Sequence, residues 1–186
     1  DLRDVASSHR GVRFTTHQGS TVFTSTAEAP PQKWRMRTRR LVLVDIENMI
    51  GGAVRDSDSV VWAKQQFDYL VDLRPGDHVV VGTSHIGLLE PACNWPHARY
   101  VMRSGRDGAD LALLEVLDED VAARFGQVVI VSGDGIFTQK VADLASRGLR
   151  VTVVAHPDGL ATRLRLAAHH ITYLPHRHQP QHGDAA

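Results

Sequence analysis

Short, nearly unbroken apolar runs recur through the middle of the chain. They are Leu41-Val42-Leu43-Val44, His78-Val79-Val80-Val81, Arg99-Tyr100-Val101-Met102, Gln127-Val128-Val129-Ile130-Val131 and Arg150-Val151-Thr152-Val153-Val154. Runs this short and this aliphatic, without regular polar alternation, predict strands buried on both faces. Between them the apolar residues change to helical spacing. Val60, Ala63, Phe67 and Leu70 form one stripe over 60–70, and 86–92 reads as a short helix before Pro96. Leu113, Leu114, Leu117 and Val121 share a face over 110–125. Phe137, Val141, Leu144 and Ala145 do so over 135–147, which Gly148 terminates. Leu160, Leu164 and Ala167 line a helix over 160–168, and Ile171-Thr172-Tyr173-Leu174 adds a last short strand. Strands joined by helices of this length need crossover connections. The expected fold is therefore an α/β three-layer sandwich with a mainly parallel sheet of five or six strands. Such sheets bind ligands beyond the carboxyl ends of their strands.

The flanks differ in kind. Residues 1–37 open with a stretch, 1–32, rich in Ser, Thr, Gly, Gln and Pro, with one strand-like run, Thr21-Val22-Phe23-Thr24, before Pro30-Pro31. They predict a flexible or loosely packed arm; 38–174 form the domain, and the His/Gln/Pro-rich 175–186 a mobile tail. The 186 residues are 42% hydrophobic and 23% charged, enough apolar material for one core. Lys plus Arg and Asp plus Glu both number 21, which argues against an overall basic coat and leaves a local patch open. The single cysteine, Cys93, excludes an internal disulfide or a thiolate metal cluster and is expected to be buried packing. No apolar run reaches the roughly 18 residues of a membrane helix, and the residues from Asp1 show no signal-type core. Together these predict a cytoplasmic protein without a membrane segment.

Three acidic positions sit where an α/β sheet presents chemistry. Asp45-Ile46-Glu47-Asn48 follows the first buried run, and a turn into helix there would put Asp45 and Asn48 on one side. Asp134 lies in Ser132-Gly133-Asp134-Gly135 after another strand, between glycines that permit a tight turn. Asp110 opens the Leu-rich helix, with Asp107 competing for the same role. Each alone is adequately explained as a helix cap or first-turn acid. Two aspartates at neighbouring strand ends would crowd like charges, which a divalent cation relieves. An oxygen-only set favours Mg2+ or Mn2+ over zinc.

These segments carry a resemblance. Val44-Asp45-Ile46-Glu47-Asn48, Gly108-Ala109-Asp110-Leu111-Ala112-Leu113 and Val131-Ser132-Gly133-Asp134-Gly135-Ile136-Phe137 resemble the three signature segments of NYN domains, in the PIN-like nuclease superfamily. Gly148-Leu149-Arg150-Val151 also looks like the family, and the likeness spans about residues 40–174. It implies a compact α/β fold and metal-dependent endoribonuclease activity on RNA, with 5′-phosphate and 3′-hydroxyl products. Asp45, Asp110 and Asp134 match its acidic metal ligands, and Asn48 its site asparagine. The superfamily also implies frequent self-association, hence a homodimer. The sequence departs from the pattern at Ile136, where relatives commonly carry a second aspartate, and at Ala168-His169, where an acid is common. That departure motivates the alternative of a catalytically weak or inactive RNA-binding or protein-interaction module. An aspartyl-phosphate enzyme fits less well, because Asp45 is followed by Glu47 and no lysine marks a late strand end.

Candidate substrate contacts are more scattered. Lys33-Trp34-Arg35-Met36-Arg37-Thr38-Arg39-Arg40 precedes the first motif. Arg35, Arg37, Arg39 and Arg40 could hold phosphates while Trp34 stacks on a base; a solvated linker explains the run equally well. Arg99, Arg103 and Arg106 form a second basic group, and His85 follows the second buried run at the ligand-binding end. His169-His170 and the tail histidines His176, His178 and His182 have no convincing zinc spacing.

Overall fold

The computed structural model describes residues 12–17, 20–25 and 39–176. The chain divides into two compact units, Asp1–Trp34 and Arg35–Ala186. The first contains an antiparallel hairpin, β1 (Val12–His17) with β2 (Ser20–Ser25). The strand expected at Thr21–Thr24 is the centre of β2, and β1 is its unforeseen partner.

The second unit holds a six-stranded sheet built from β3 (Arg40–Asp45), β4 (His78–Thr83), β5 (Arg99–Met102), β6 (Gln127–Val131), β7 (Arg150–Ala155) and β8 (His170–Tyr173). All five pairings are parallel, in the order β5-β4-β3-β6-β7-β8. The chain starts in the middle, builds outward through β4 and β5, then returns to the other side of β3 and builds outward again.

Helices cover both faces. On one lie α1 (Ile46–Ile50), α2 (Ser57–Val71) and α3 (Leu89–Asn94). Val42 and Val44 of β3 point into that layer, with Val60, Ala63, Phe67 and Trp95. Leu41 and Leu43, one step out of phase, point into the other layer. That layer comprises α4 (Gly108–Leu117), α5 (Val121–Arg124), α6 (Thr138–Ser146) and α7 (Thr162–Ala167). Leu113, Leu117, Val121, Phe137, Val141, Leu144 and Leu164 fill it. Two buried layers explain why β3 reads as an unbroken aliphatic run.

Several helix boundaries differ from expectation for local reasons. The helix expected over 110–125 breaks into α4 and α5. Asp118-Glu119-Asp120 sets three acids at the negative end of α4, and Asp120 adopts φ 43°. The segment expected as helix from 135 opens with a 3-10 turn at Gly135–Phe137, capped by Asp134. The last helix begins at Thr162 rather than 160, because Ala161 N–H is tied to Gly133 O at 2.9 Å. The short helix starts at Leu89, after a turn closed by Gly87 N–H on Ser84 O at 3.2 Å. Cys93 is exposed, against expectation: α3 turns Pro91 and the following Trp95 inward and Cys93 outward.

Candidate active site

The strand order reverses between β3 and β6, so their carboxyl ends diverge into helices on opposite faces and leave a crevice. In doubly wound sheets that crevice is the ligand-binding position. Asp45 ends β3, and Ser132 to Asp134 follow β6.

Asp45 is buried, at 4% exposure. It caps α1, accepting from Asn48 N–H at 3.1 Å through Oδ1, while Ser132 Oγ donates to Oδ2 at 3.2 Å. The Asn48 side chain crosses to β6 and accepts from Gly133 N–H at 3.0 Å. Ser132 Oγ also accepts from Asp134 N–H at 3.2 Å. These bonds tie the two switch-point loops together. Glu47 points the other way and accepts from Ser84 N–H at 3.0 Å, joining the β3 and β4 exits.

Asp110 comes from the opposite layer and is buried against Asp45. Two glycines permit that approach. A Cβ on Gly82, the residue paired with Asp45, would lie 2.6 Å from the Leu113 side chain. Leu113 is one helical turn beyond Asp110, so the close packing of α4 on β4 carries Asp110 over the strand ends. A Cβ on Gly108 would meet Arg103 O at 2.2 Å, which seats the start of α4 on the β5 exit.

The electrostatics follow from the crowding. Burial, then the charge and hydrogen bonding of Asp45, then the charges of Asp134 and Asp107, push the Asp110 carboxyl up to about 8. Burial also raises Asp45, against the opposing hydrogen bonds from Asn48, Asp110 and Ser132. The pair is within reach of a shared proton, and Asp110 Oδ1 is buried without a hydrogen-bond partner among the described residues. An orphaned carboxylate oxygen beside a second carboxylate suits one hard divalent cation. The third aspartate contributes less. Asp134 is exposed, and its Oδ1 accepts from Ile136 N–H at 2.8 Å as the cap of the 3-10 turn. Among the described residues no group of three His, Cys, Asp or Glu side chains stands in metal-holding geometry.

Not all the expected contacts converge here. Arg40 lies at the amino end of β3, roughly 16 Å from Asp45 at about 3.3 Å per residue. It is buried in an ion pair with Asp77 at 2.5 Å and also donates to Val71 O and Asp72 O. Arg39, beside it, stacks over Phe125 at 5.4 Å and donates to Gly76 O. Both are taken up at the end of the sheet away from the site. Arg35, Arg37 and Trp34 lie outside the described residues, as do His178 and His182. His85 and Arg106 are exposed on the β4 and β5 exit loops, at the ligand-binding end. His85 Nδ1 shares a 2.7 Å hydrogen bond with Ser104 Oγ, and Arg106 lies 3.9 Å from Asp107. Arg99 and Arg103 pair with Glu119 and Glu115.

One cation at the site escaped the sequence reading. Arg163, exposed on α7, holds its guanidinium over Gly135, 2.7–2.8 Å from where a glycine Cβ would stand. A basic residue in the first turn of the last helix is the only signal for it, and that signal is common.

The site is thus a carboxylate pair at the switch point of a six-stranded α/β sheet. Residues 95–175, running from just before β5 through β8, match the NYN domain family. That match contains Asp110 and Asp134 but not Asp45 or Asn48, which the fold adds from β3 and α1. No curated protein sequence matches the chain. Among solved structures, a Vibrio parahaemolyticus protein of unknown function is 21% identical, with a TM-score of 0.51 over 75% of this chain and 94% of that one. The Escherichia coli YcaC gene product, an octameric hydrolase of unknown specificity, is 18% identical, with a TM-score of 0.42 over 74% and 76%. At such identity the first likeness bears on the fold alone, and the second carries no argument.

Proposed function

We propose that this chain is a PIN-like NYN protein that hydrolyses RNA phosphodiester bonds internally, with Mg2+ or Mn2+ held by Asp45 and Asp110 and Asp134 at its edge. The observation that carries the reading is the buried Asp45–Asp110 pair at the switch point, with its orphaned oxygen. The family match over 95–175 supports RNA as the substrate class. A bound cation supplies charge neutralisation and a more acidic water. The protein's own residues do the rest. Ser132 and the Asn48 amide fix the Asp45 carboxylate, and the Asn48 side chain locks the Gly133 loop. Asp134 adds negative charge without burial, and Arg163 presents a fork suited to a phosphate at the rim. Attack by water leaves a 5′-phosphate and a 3′-hydroxyl. The protein acts in the cytoplasm on this reading.

The test is cleavage of labelled single-stranded and structured RNA with Mn2+, with Mg2+ and with EDTA. Cleavage is expected with either metal and abolished by EDTA. Asp45→Asn should lower the rate about 10²–10³-fold, as for other lost electrostatic contributors. Metal-independent cleavage, or full activity in Asp45→Asn, refutes the mechanism. The second reading, an inactive RNA- or protein-binding module, has one observation in its favour. Asp134 is engaged by Ile136 N–H, so only two carboxylates face each other. RNA binding that ignores both metals, with no cleavage, selects it.

A further inference from the structure

Beside the carboxylate pair lies a second concavity that the cleavage chemistry does not use. A cleft of about 560 Å3 runs between the turn after α1 and the loop after β7. Glu47, Asn48 and Gly52 from α1 and its following turn, Trp62 from α2, and His156 with Asp158 from the β7 exit line it. Its size falls within the roughly 300–1,000 Å3 of small-molecule sites. It opens directly from the switch point, because Asn48 belongs to both.

The chemistry of the walls is selective. Trp62 is a half-buried indole on α2. In the same lining the His156 ring stacks on His176, with centroids 4.8 Å apart and planes 11° from parallel. A stacked imidazole pair and an indole in one lining suit a flat, polarisable ligand. Charge disfavours a phosphate: among the described residues no Lys or Arg lines the cleft, while Glu47 and Asp158 do. The Asp158 carboxylate is 3.1 Å from His176 Nε2, which holds the outer imidazole in its stack. His156 Nε2 is fixed as a donor, because its partner at 2.9 Å is the Met49 carbonyl. In the neutral ring Nδ1 is then an acceptor, and it is buried without a partner among the described residues. The cleft therefore offers stacking surfaces and a carboxylate acceptor, and among the described residues no Lys or Arg for an anion.

We propose that this cleft holds an unstacked nucleobase bearing an exocyclic amino group, from a nucleotide flanking the phosphate at the carboxylate pair. This rests on the reading of the neighbouring site as acting on RNA. The base stacks against Trp62 and the His156–His176 pair, and its amino group donates to Asp158. Phosphates stay outside, nearer Arg163.

The test is calorimetric titration of the protein with adenosine, uridine and inorganic phosphate in EDTA, so that cleavage plays no part. Adenosine should bind and uridine more weakly, and millimolar phosphate should not compete. Trp62→Leu should weaken adenosine at least about five-fold, the lower range for loss of base stacking. Gly52→Leu is the second variant. A Cβ there meets nothing within 4 Å and the backbone is not left-handed, so the side chain narrows the cleft without strain. It too should weaken adenosine. No adenosine binding by the parent, parent-like affinity in folded Gly52→Leu, or displacement by phosphate overturns the proposal. Cleavage without adenosine binding defeats this inference alone. Adenosine binding without cleavage defeats the nuclease reading alone.

Discussion

Asp110 concentrates the electrostatic strain of the site. Its folded carboxyl titrates near 8, against an ordinary value of 3.8, because burial and Asp45 oppose its charge. The sign of the stability effect follows. Below about pH 4 both folded and unfolded chains keep the proton. Between about 4 and 8 the unfolded chain releases it and the folded chain does not, so metal-free stability falls as pH rises through that window and levels off above it. Asp110→Asn removes the effect. In chelator, the variant should melt at nearly the parent temperature at pH 4 and several degrees above it at pH 8. Mn2+ should raise the parent's melting temperature and leave the variant's almost unmoved. Parallel pH profiles for the two proteins would contradict the crowding. Sequence already marked Asp45, Asp110 and Asp134 as acids at element boundaries. Their unequal standing was not legible, because it depends on which carboxylates face each other and which cap a turn.

The site depends on how α4 sits on β4. Gly82 is the close-approach point, since any side chain there must displace Leu113. Gly82→Val should cost about 1–3 kcal/mol, the usual range for overpacking a core. It should also lift Asp110 away from Asp45. The expected result is a folded protein with weaker Mn2+ binding and slower RNA cleavage, read by calorimetry and by rate. Unchanged metal affinity in a destabilised Gly82→Val would show that α4 placement does not govern the pair. A glycine inside a strand hints at close approach, but the sequence does not name the partner. Helix breaks were similarly half-visible: the acids at 118–120 are plain in the chain, and the left-handed turn at Asp120 that they accompany is not.

Across the whole molecule, the two ends of the sheet do different work. The amino end is closed by the buried Arg40–Asp77 pair, with Arg40 also bound to the end of α2. Burial alone would raise the Asp77 carboxyl, but hydrogen bonds from Arg40 and Arg74 and the charge of Arg40 outweigh it and hold it low. Its contribution is therefore present above the ordinary carboxylate range and is lost as pH falls through the depressed value. Asp77→Ala strands a buried guanidinium and should cost about 3–5 kcal/mol by denaturant titration. At a temperature where the variant stays folded, its RNA cleavage rate should match the parent's, because the pair lies at the far end of β3. A rate loss as large as that of Asp45→Asn would show that the two ends are coupled.

The strand and helix alternation, a mainly parallel sheet of five or six strands and the placing of Asp45, Asp110 and Asp134 at element ends all follow from local pattern. Apolar period and turn chemistry act over a few residues and can be read from them. Which strands are neighbours, and hence where the switch point falls, is decided only when the crossovers pack. The same is true of the arginines. Arg39 and Arg40 adjoin the first motif in sequence, yet an extended strand carries them to the far end, while Arg163 arrives over Gly135 from the last helix. The cleft of Trp62, His156 and His176 joins three separate elements and leaves no periodic trace. Sequence records what each segment buries; only the packed chain determines which polar groups are brought together at its ends.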